Sequence, residues 1–195
     1  SLSRVSSHYP MAMGGFLPEP DRAKLAAEGV ARNHSLPLWA SEDWTLSTQT
    51  AGWEGALRLG EMLNRNVAQG GIVCSIIWNL LFAWDYLFGY AEKPGSGAPF
   101  GGQGHGLFYA AEPWSGHWAL RPALFAVIHT TQFSDPGDTL PPGAMGLLPE
   151  SSGSFVTYYK NDSAWSLVVE TANASATAKP QTVRFSLKFG SSTQA

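Results

Sequence analysis

Charge is scarce in this chain. Of its 195 residues, 14% are Asp, Glu, Lys or Arg, with 12 basic against 15 acidic and a formal net charge of -3, whereas a soluble domain usually carries about 25% charged residues. No Lys/Arg cluster occurs, which argues against a nucleic-acid footprint. Cysteine is all but absent. The single Cys74 sits in the apolar run Ile72-Val73-Cys74-Ser75-Ile76-Ile77 and reads as a small buried hydrophobe. No disulfide can close within the chain, and a cysteine-based zinc site is excluded. Several motifs are also missing. There is no P-loop, no His-Glu-x-x-His and no Gly-x-Ser-x-Gly, so nucleotide, zincin and serine-hydrolase chemistry have no support. The glycine-rich Gly101-Gly102-Gln103-Gly104-His105-Gly106 has no strand leading into it.

What is abundant is aromatic and turn-forming: 8 Trp, 6 Tyr and 10 Phe beside 21 Gly and 13 Pro. Such a chain has many loops and many flat apolar faces, and sugar rings are among the ligands that stack on them. At 44% hydrophobic, it is not a disordered chain. Residues 70–91 hold one charge, Asp85, and are long enough to cross a bilayer. Ser75, Asn79 and Asp85 interrupt them, however, and a buried parallel strand followed by an apolar loop gives the same hydropathy. The strand is the favoured reading, with no transmembrane span. Three sequons, at Asn33, Asn161 and Asn173, lean weakly toward the secretory route. The start at Ser1-Leu2-Ser3-Arg4 looks like a cut, and any targeting signal is expected upstream.

The first two-thirds alternate short apolar runs with helical patterns. Strands are expected at Val5–Pro10, Leu36–Ser41 and Gly71–Trp78, and helices at Asp21–Glu28, Trp53–Asn66 and from Pro122 to His129. In the second helix Leu57, Met62 and Leu63 alternate with Glu54, Arg58, Glu61 and Arg65, an amphipathic pattern. Repeated strand–helix units mean a parallel sheet, and their even spacing suits a (β/α) barrel, whose eight units usually fill about 250 residues. Three units cannot close a barrel, so this is part of something larger. After Asp135-Pro136-Gly137 the pattern turns to β: a hairpin over Phe155–Lys160 and Ala164–Glu170, and a half-exposed strand over Val183–Phe189. The fold class is therefore α/β, with a barrel portion over residues 1–137 and an all-β portion over 138–195.

Working residues of such barrels stand at the C-terminal ends of strands. Leu38-Trp39-Ala40-Ser41-Glu42-Asp43-Trp44 ends a strand in two acids between tryptophans. A carboxylate fixed there suits a glycosidase nucleophile. Equally, Glu42 and Asp43 could solvate a loop and cap a helix. Trp78-Asn79 could floor a sugar site or pack in a core. Glu112-Pro113-Trp114 could supply an acid or turn a corner. His8, at the first strand's end, could orient a carboxylate or be structural.

Taken together, Trp39 to Trp44, Ile77-Trp78-Asn79, the run Glu112 to His117 and His129-Thr130-Thr131-Gln132-Phe133 form an ordered set of motifs. In this set, from about residue 5 to 172, the chain resembles the galactosylceramidase family of retaining glycoside hydrolases. The resemblance implies strands six to eight of a (β/α)8 TIM barrel followed by the start of a β-sandwich. It implies that Glu42 is the nucleophile, that Trp78, His8 and Thr45 line the sugar pocket, and that no metal or cofactor takes part. The acid/base would be a glutamate on strand four, upstream of Ser1, so the fragment alone is expected to be inactive. A β-galactosyl glycolipid as substrate, a saposin-like lipid-presenting partner and a lysosomal or secreted location follow from the same likeness. There are departures. The family's disulfide and the arginine following its second cysteine have no counterpart in Ala176–Pro180, Arg184 lies too far along to replace that arginine, and Pro94–His105 looks like an insertion. These departures keep open a second reading, a non-catalytic carbohydrate-binding component.

Overall fold

The structure, a computed structural model, describes residues 3–8, 33–43, 52–77, 80–82, 106–110, 113–141, 143–160, 164–175, 180 and 182–186. The expected helix over 21–28 lies outside these residues. What is described is an α/β arrangement of one parallel sheet, two small mixed or antiparallel sheets, and two helices that join them.

The parallel sheet has the order β1–β2–β3, with β1 at Val5–His8, β2 at Leu38–Asp43 and β3 at Ile72–Ile77. Its apolar face gathers Leu38, Ala40 and Ile72, each 3% exposed or less, with Val5 against them. Helix α1, Trp53–Ala68, crosses from β2 to β3, the connection that parallel neighbours require. Glu54 in its first turn and Arg65 in its last suit the helix dipole. It stops before Gly71, whose φ of +60° turns the chain into β3. A second core joins Leu59 and Met62 of α1 to Leu107 and Ala123, the latter in α2, Pro122–Thr131. Pro122 opens α2 at its first position, where the missing N–H is no loss. Between the helices, β4 (Leu81–Phe82), β5 (Phe108–Tyr109) and β6 (Ala119–Leu120) form a minimal sheet.

Beyond the turn at Asp135–Asp138, β7 (Met145–Leu147), β8 (Ser154–Lys160) and β9 (Ala164–Glu170) make an antiparallel sheet. The hairpin matches the expectation within a residue. Residues 182–186 do not pair as a strand. Phe185 stands edge-to-face on Phe155 at 5.2 Å, but the apolar and polar residues of the segment are alike exposed. Residues 187–189 are outside the described set.

Two expectations for α1 need correction. Glu61 and Arg65, assigned by periodicity to a wet face, are 1% and 2% exposed, while Leu57 is 47% exposed. The reason is that α1 is covered on both sides, by the parallel sheet and by β8 and β9. Glu61 and Asn64 bond toward the hairpin side, through Asn173 and Ser154. Cys74 is half-buried, not fully enclosed. As for the stretch 70–91, its described part is a turn and two strands, and no helix among the described residues is long and apolar enough to cross a membrane.

Candidate functional site

The end of β2 is irregular in a way that decides where its acids go. In the ladder with β1, Ser7 pairs with Ala40 and the next residue, His8, pairs with Glu42. In the ladder with β3, Ala40 pairs with Ser75 and Asp43 with Ile77. Both neighbours therefore find one extra residue in β2 between Ala40 and Asp43, a β-bulge. Side chains alternate along a regular strand, so Glu42 would otherwise share the face of Leu38 and Ala40 and point at α1. The extra residue shifts the alternation by one. Asp43 then falls on the α1 face and is 2% exposed. Glu42 falls on the opposite face, half-buried. Trp39 is on that face too, with the Arg4 guanidinium 4.2 Å from its ring centre.

Beneath the bulge lies a buried polar cluster that pattern reading missed. The Asn66 side-chain amide donates to Asp43 Oδ2 at 2.5 Å and to Ser75 Oγ at 3.0 Å. Asn66 is wholly buried. The available signal was the pair Asn64-x-Asn66 in a helix between two sheets, since helix-interior asparagines with no cap to make need a partner elsewhere.

Of the residues singled out from the sequence, Glu42 and His8 come to paired ladder positions. Trp78, Asn79, Thr45 and Glu112 lie outside the described residues. The corner after Glu112 is a turn of 3-10 helix, Pro113–Ser115, closed by the His117 N–H donating to Ser115 Oγ at 3.2 Å. Among the described residues no group of His, Cys, Asp or Glu converges to hold a metal ion.

A second polar cluster joins α1 to the hairpin. Asn64 donates to Ser154 Oγ at 3.2 Å, and Ser154 donates to Glu170 Oε1 at 2.5 Å. Glu170 also accepts the Ala172 N–H at 2.7 Å. Burial pushes the Glu170 carboxyl above the usual range; these hydrogen bonds oppose the shift and the Glu61 charge adds to it. Asn173, the last of the three sequon asparagines, donates to Glu61 Oε1 at 3.0 Å and accepts from Arg58, so its amide is engaged in this junction. Asn33 is exposed, and Asn161 is not described. A cavity of about 580 Å³ opens on the antiparallel sheet between Phe155, Trp165, Leu167 and Arg184. It is built on different elements from the end of β2.

Comparison with known proteins places the chain in context. The sequence pattern of glycosyl hydrolase family 59 matches residues 2–132. Curated relatives include the galactocerebrosidase of Canis lupus familiaris, 39% identical over 101 residues that make up 51% of this chain and 13% of the relative. That of Macaca mulatta is 38% identical over 108 residues, 55% of this chain and 13% of the relative. That of Salmo salar is 31% identical over 134 residues, 69% of this chain and 18% of the relative. The chain thus spans less than a fifth of the length of these relatives.

Proposed function

The chain belongs to glycosyl hydrolase family 59, and from that membership we propose that it is part of a galactosylceramidase-like retaining glycoside hydrolase with Glu42 as its nucleophile. The substrate in this reading is the β-galactosyl bond of galactosylceramide or a related glycolipid. Residues 1–137 are the last strands of a TIM barrel and residues 138–195 the start of a β-sandwich. The rest of the barrel, on other parts of the protein, supplies the proton donor.

In this mechanism the Glu42 carboxylate attacks the anomeric carbon from one face of the sugar. The second carboxyl protonates the departing oxygen and later takes a proton from the water that releases the sugar. Retention requires the two carboxyl groups about 5–5.5 Å apart, which demands a nucleophile on a rigid element. Trp78, Thr45 and His8 line the sugar site. No metal or cofactor is needed, because the carboxylates provide both the nucleophile and the proton. A saposin-like lipid-presenting partner and a lysosomal or secreted location belong to the same reading, as does inactivity of residues 1–195 alone.

The observation that supports it is the bulge in β2, which turns Glu42 away from α1 at the C-terminal end of a parallel strand, where such folds carry their chemistry. The test is Glu42→Gln in the full-length protein. Turnover of an aryl β-galactoside should fall on the order of 10⁴-fold or more. A 2-deoxy-2-fluorogalactosyl trap should label the Glu42 peptide in the wild type. Wild-type turnover by the variant, or a label on another carboxylate, refutes the assignment.

A further inference from the structure

The two bonds of Asn66, one buried and one partly so, sit on either side of the bulge. One goes to Asp43, the first residue of β2 back on the α1 face after the extra residue. The other goes to Ser75, the β3 partner of Ala40, which is the last regular position before it. An amide nitrogen has two hydrogens to donate, and here one fixes each side of the irregularity. We propose that Asn66 is a positioning residue for the reaction: acting through Asp43 and Ser75, it holds the β2 bulge in register and thereby aims Glu42. This inference rests on the reading of Glu42 as nucleophile and adds to it the residue that sets its direction.

Stability alone is a poor reason for this arrangement. Asn66 Oδ1 is buried and has no hydrogen-bond partner among the described residues, a cost that an apolar side chain of similar volume would avoid. A bulge, moreover, leaves a strand two alternative alternations. In the regular one Glu42 would share the face of Ala40 and be driven toward α1. Asp43 would then be turned away from Asn66, losing its bond. The amide therefore discriminates between the two registers, and only one of them turns Glu42 toward a substrate on the far face. A misplacement of about 1 Å at a reacting atom can cost on the order of 10²-fold in rate.

The experiment uses the full-length protein and 2,4-dinitrophenyl β-galactoside, with Glu42→Ala as the reference. In that variant azide can take the place of the missing carboxylate. A C–N bond forms at the anomeric carbon as the C–O bond breaks, and the electron pair leaves with the dinitrophenolate, giving an α-galactosyl azide. Azide diffuses in and needs no aim from β2. Asn66→Ser in the wild-type background should lower kcat on the order of 10- to 100-fold with KM changed by less than about threefold. The same substitution added to Glu42→Ala should leave the azide-supported rate unchanged. Asp43→Ala, which removes the acceptor, should behave like Asn66→Ser and carries the test if the latter does not fold. Equal losses in both backgrounds would show a general structural role and overturn the inference while leaving Glu42 in place. Failure of azide to restore Glu42→Ala would instead refute the nucleophile itself, and the inference with it.

Discussion

Gly153 offers a sharp test of how the hairpin meets the rest of the chain. A Cβ built there would stand 1.9 Å from the carbonyl oxygen of Glu170 and 2.8 Å from its carbon and from Thr171 Cα. Carbon and carbonyl oxygen seldom approach closer than about 3.3 Å, so Gly153→Ala must push the two backbones apart by more than about 1 Å. The obstacle is main chain on both sides, and neither side can rotate out of the way. That displacement falls on the first pair of the β8–β9 ladder, Ser154 with Glu170. It strains the Ser154–Glu170 bond, the Asn64–Ser154 bond and the Leu148 N–H bond to the Gly153 carbonyl, which is 2.9 Å. Each buried polar group left without a partner costs about 1–3 kcal/mol, so two or more put the loss near 4 kcal/mol. At about 2–4 °C per kcal/mol for a domain of this size, the transition of the domain holding the hairpin should drop by about 8 °C or more. Differential scanning calorimetry of the full-length protein reads it, and hydrogen exchange over residues 154–170 localises it. Gly146→Ala is the control: its Cβ would meet only the Phe155 ring, at 3.1 Å, and a ring can tilt. A Gly153→Ala protein with the wild-type transition would refute the close approach of the two strands.

Leu59 is 1% exposed where α1 meets α2 and packs with Met62, Leu107 and Ala123, so Leu59→Ala should cost about 2–5 kcal/mol; a chemical denaturation midpoint unchanged from wild type would contradict that core. The Glu170 carboxyl titrates above its ordinary 4.5 because of burial and the Glu61 charge, so its contribution to stability is full below 4.5 and is lost as pH rises through the raised folded value. Relative to Glu170→Gln, the wild-type protein should therefore gain thermal stability as pH falls from neutral toward 4.5, and parallel curves for the two proteins would count against it.

The elements with strong periodicity or clear stops were legible in the residues. β1, β2, β3, α1, α2 and the β8–β9 hairpin all appear within two or three residues of where apolar runs, the Gly70-Gly71 stop and Pro122 put them. What escaped were pieces whose existence depends on neighbours distant in sequence. β7 is three residues among prolines and glycines, and β4, β5 and β6 have two residues each, too short to show an alternation. Glu61 and Arg65 misled for a related reason. Periodicity says which residues share a helix face, but it cannot say that a hairpin from residues 154–170 will cover the polar one. The burial of Glu61 is offset by Arg58, one turn back on the helix, and by Asn173, which no local window contains.

The candidate site divides along the same line. That a strand ends at Glu42-Asp43 is local information; which of the two acids faces α1 is not. Strict alternation from the buried pair Leu38 and Ala40 assigns Glu42 to the buried side and Asp43 to the other, the reverse of the burial found, 2% for Asp43 against a half-buried Glu42. A bulge has no sequence signature of its own here, since neither Ser41 nor Glu42 is a glycine. It is specified from outside the strand, by a ladder partner on each side and by an asparagine more than twenty positions later on α1. A family likeness can attach a role to Glu42, but in the reading proposed above the register that would let an acid at that position face a substrate is held by Asn66. Residues that define a strand's irregularity are therefore as much a part of a site as the residues it displays.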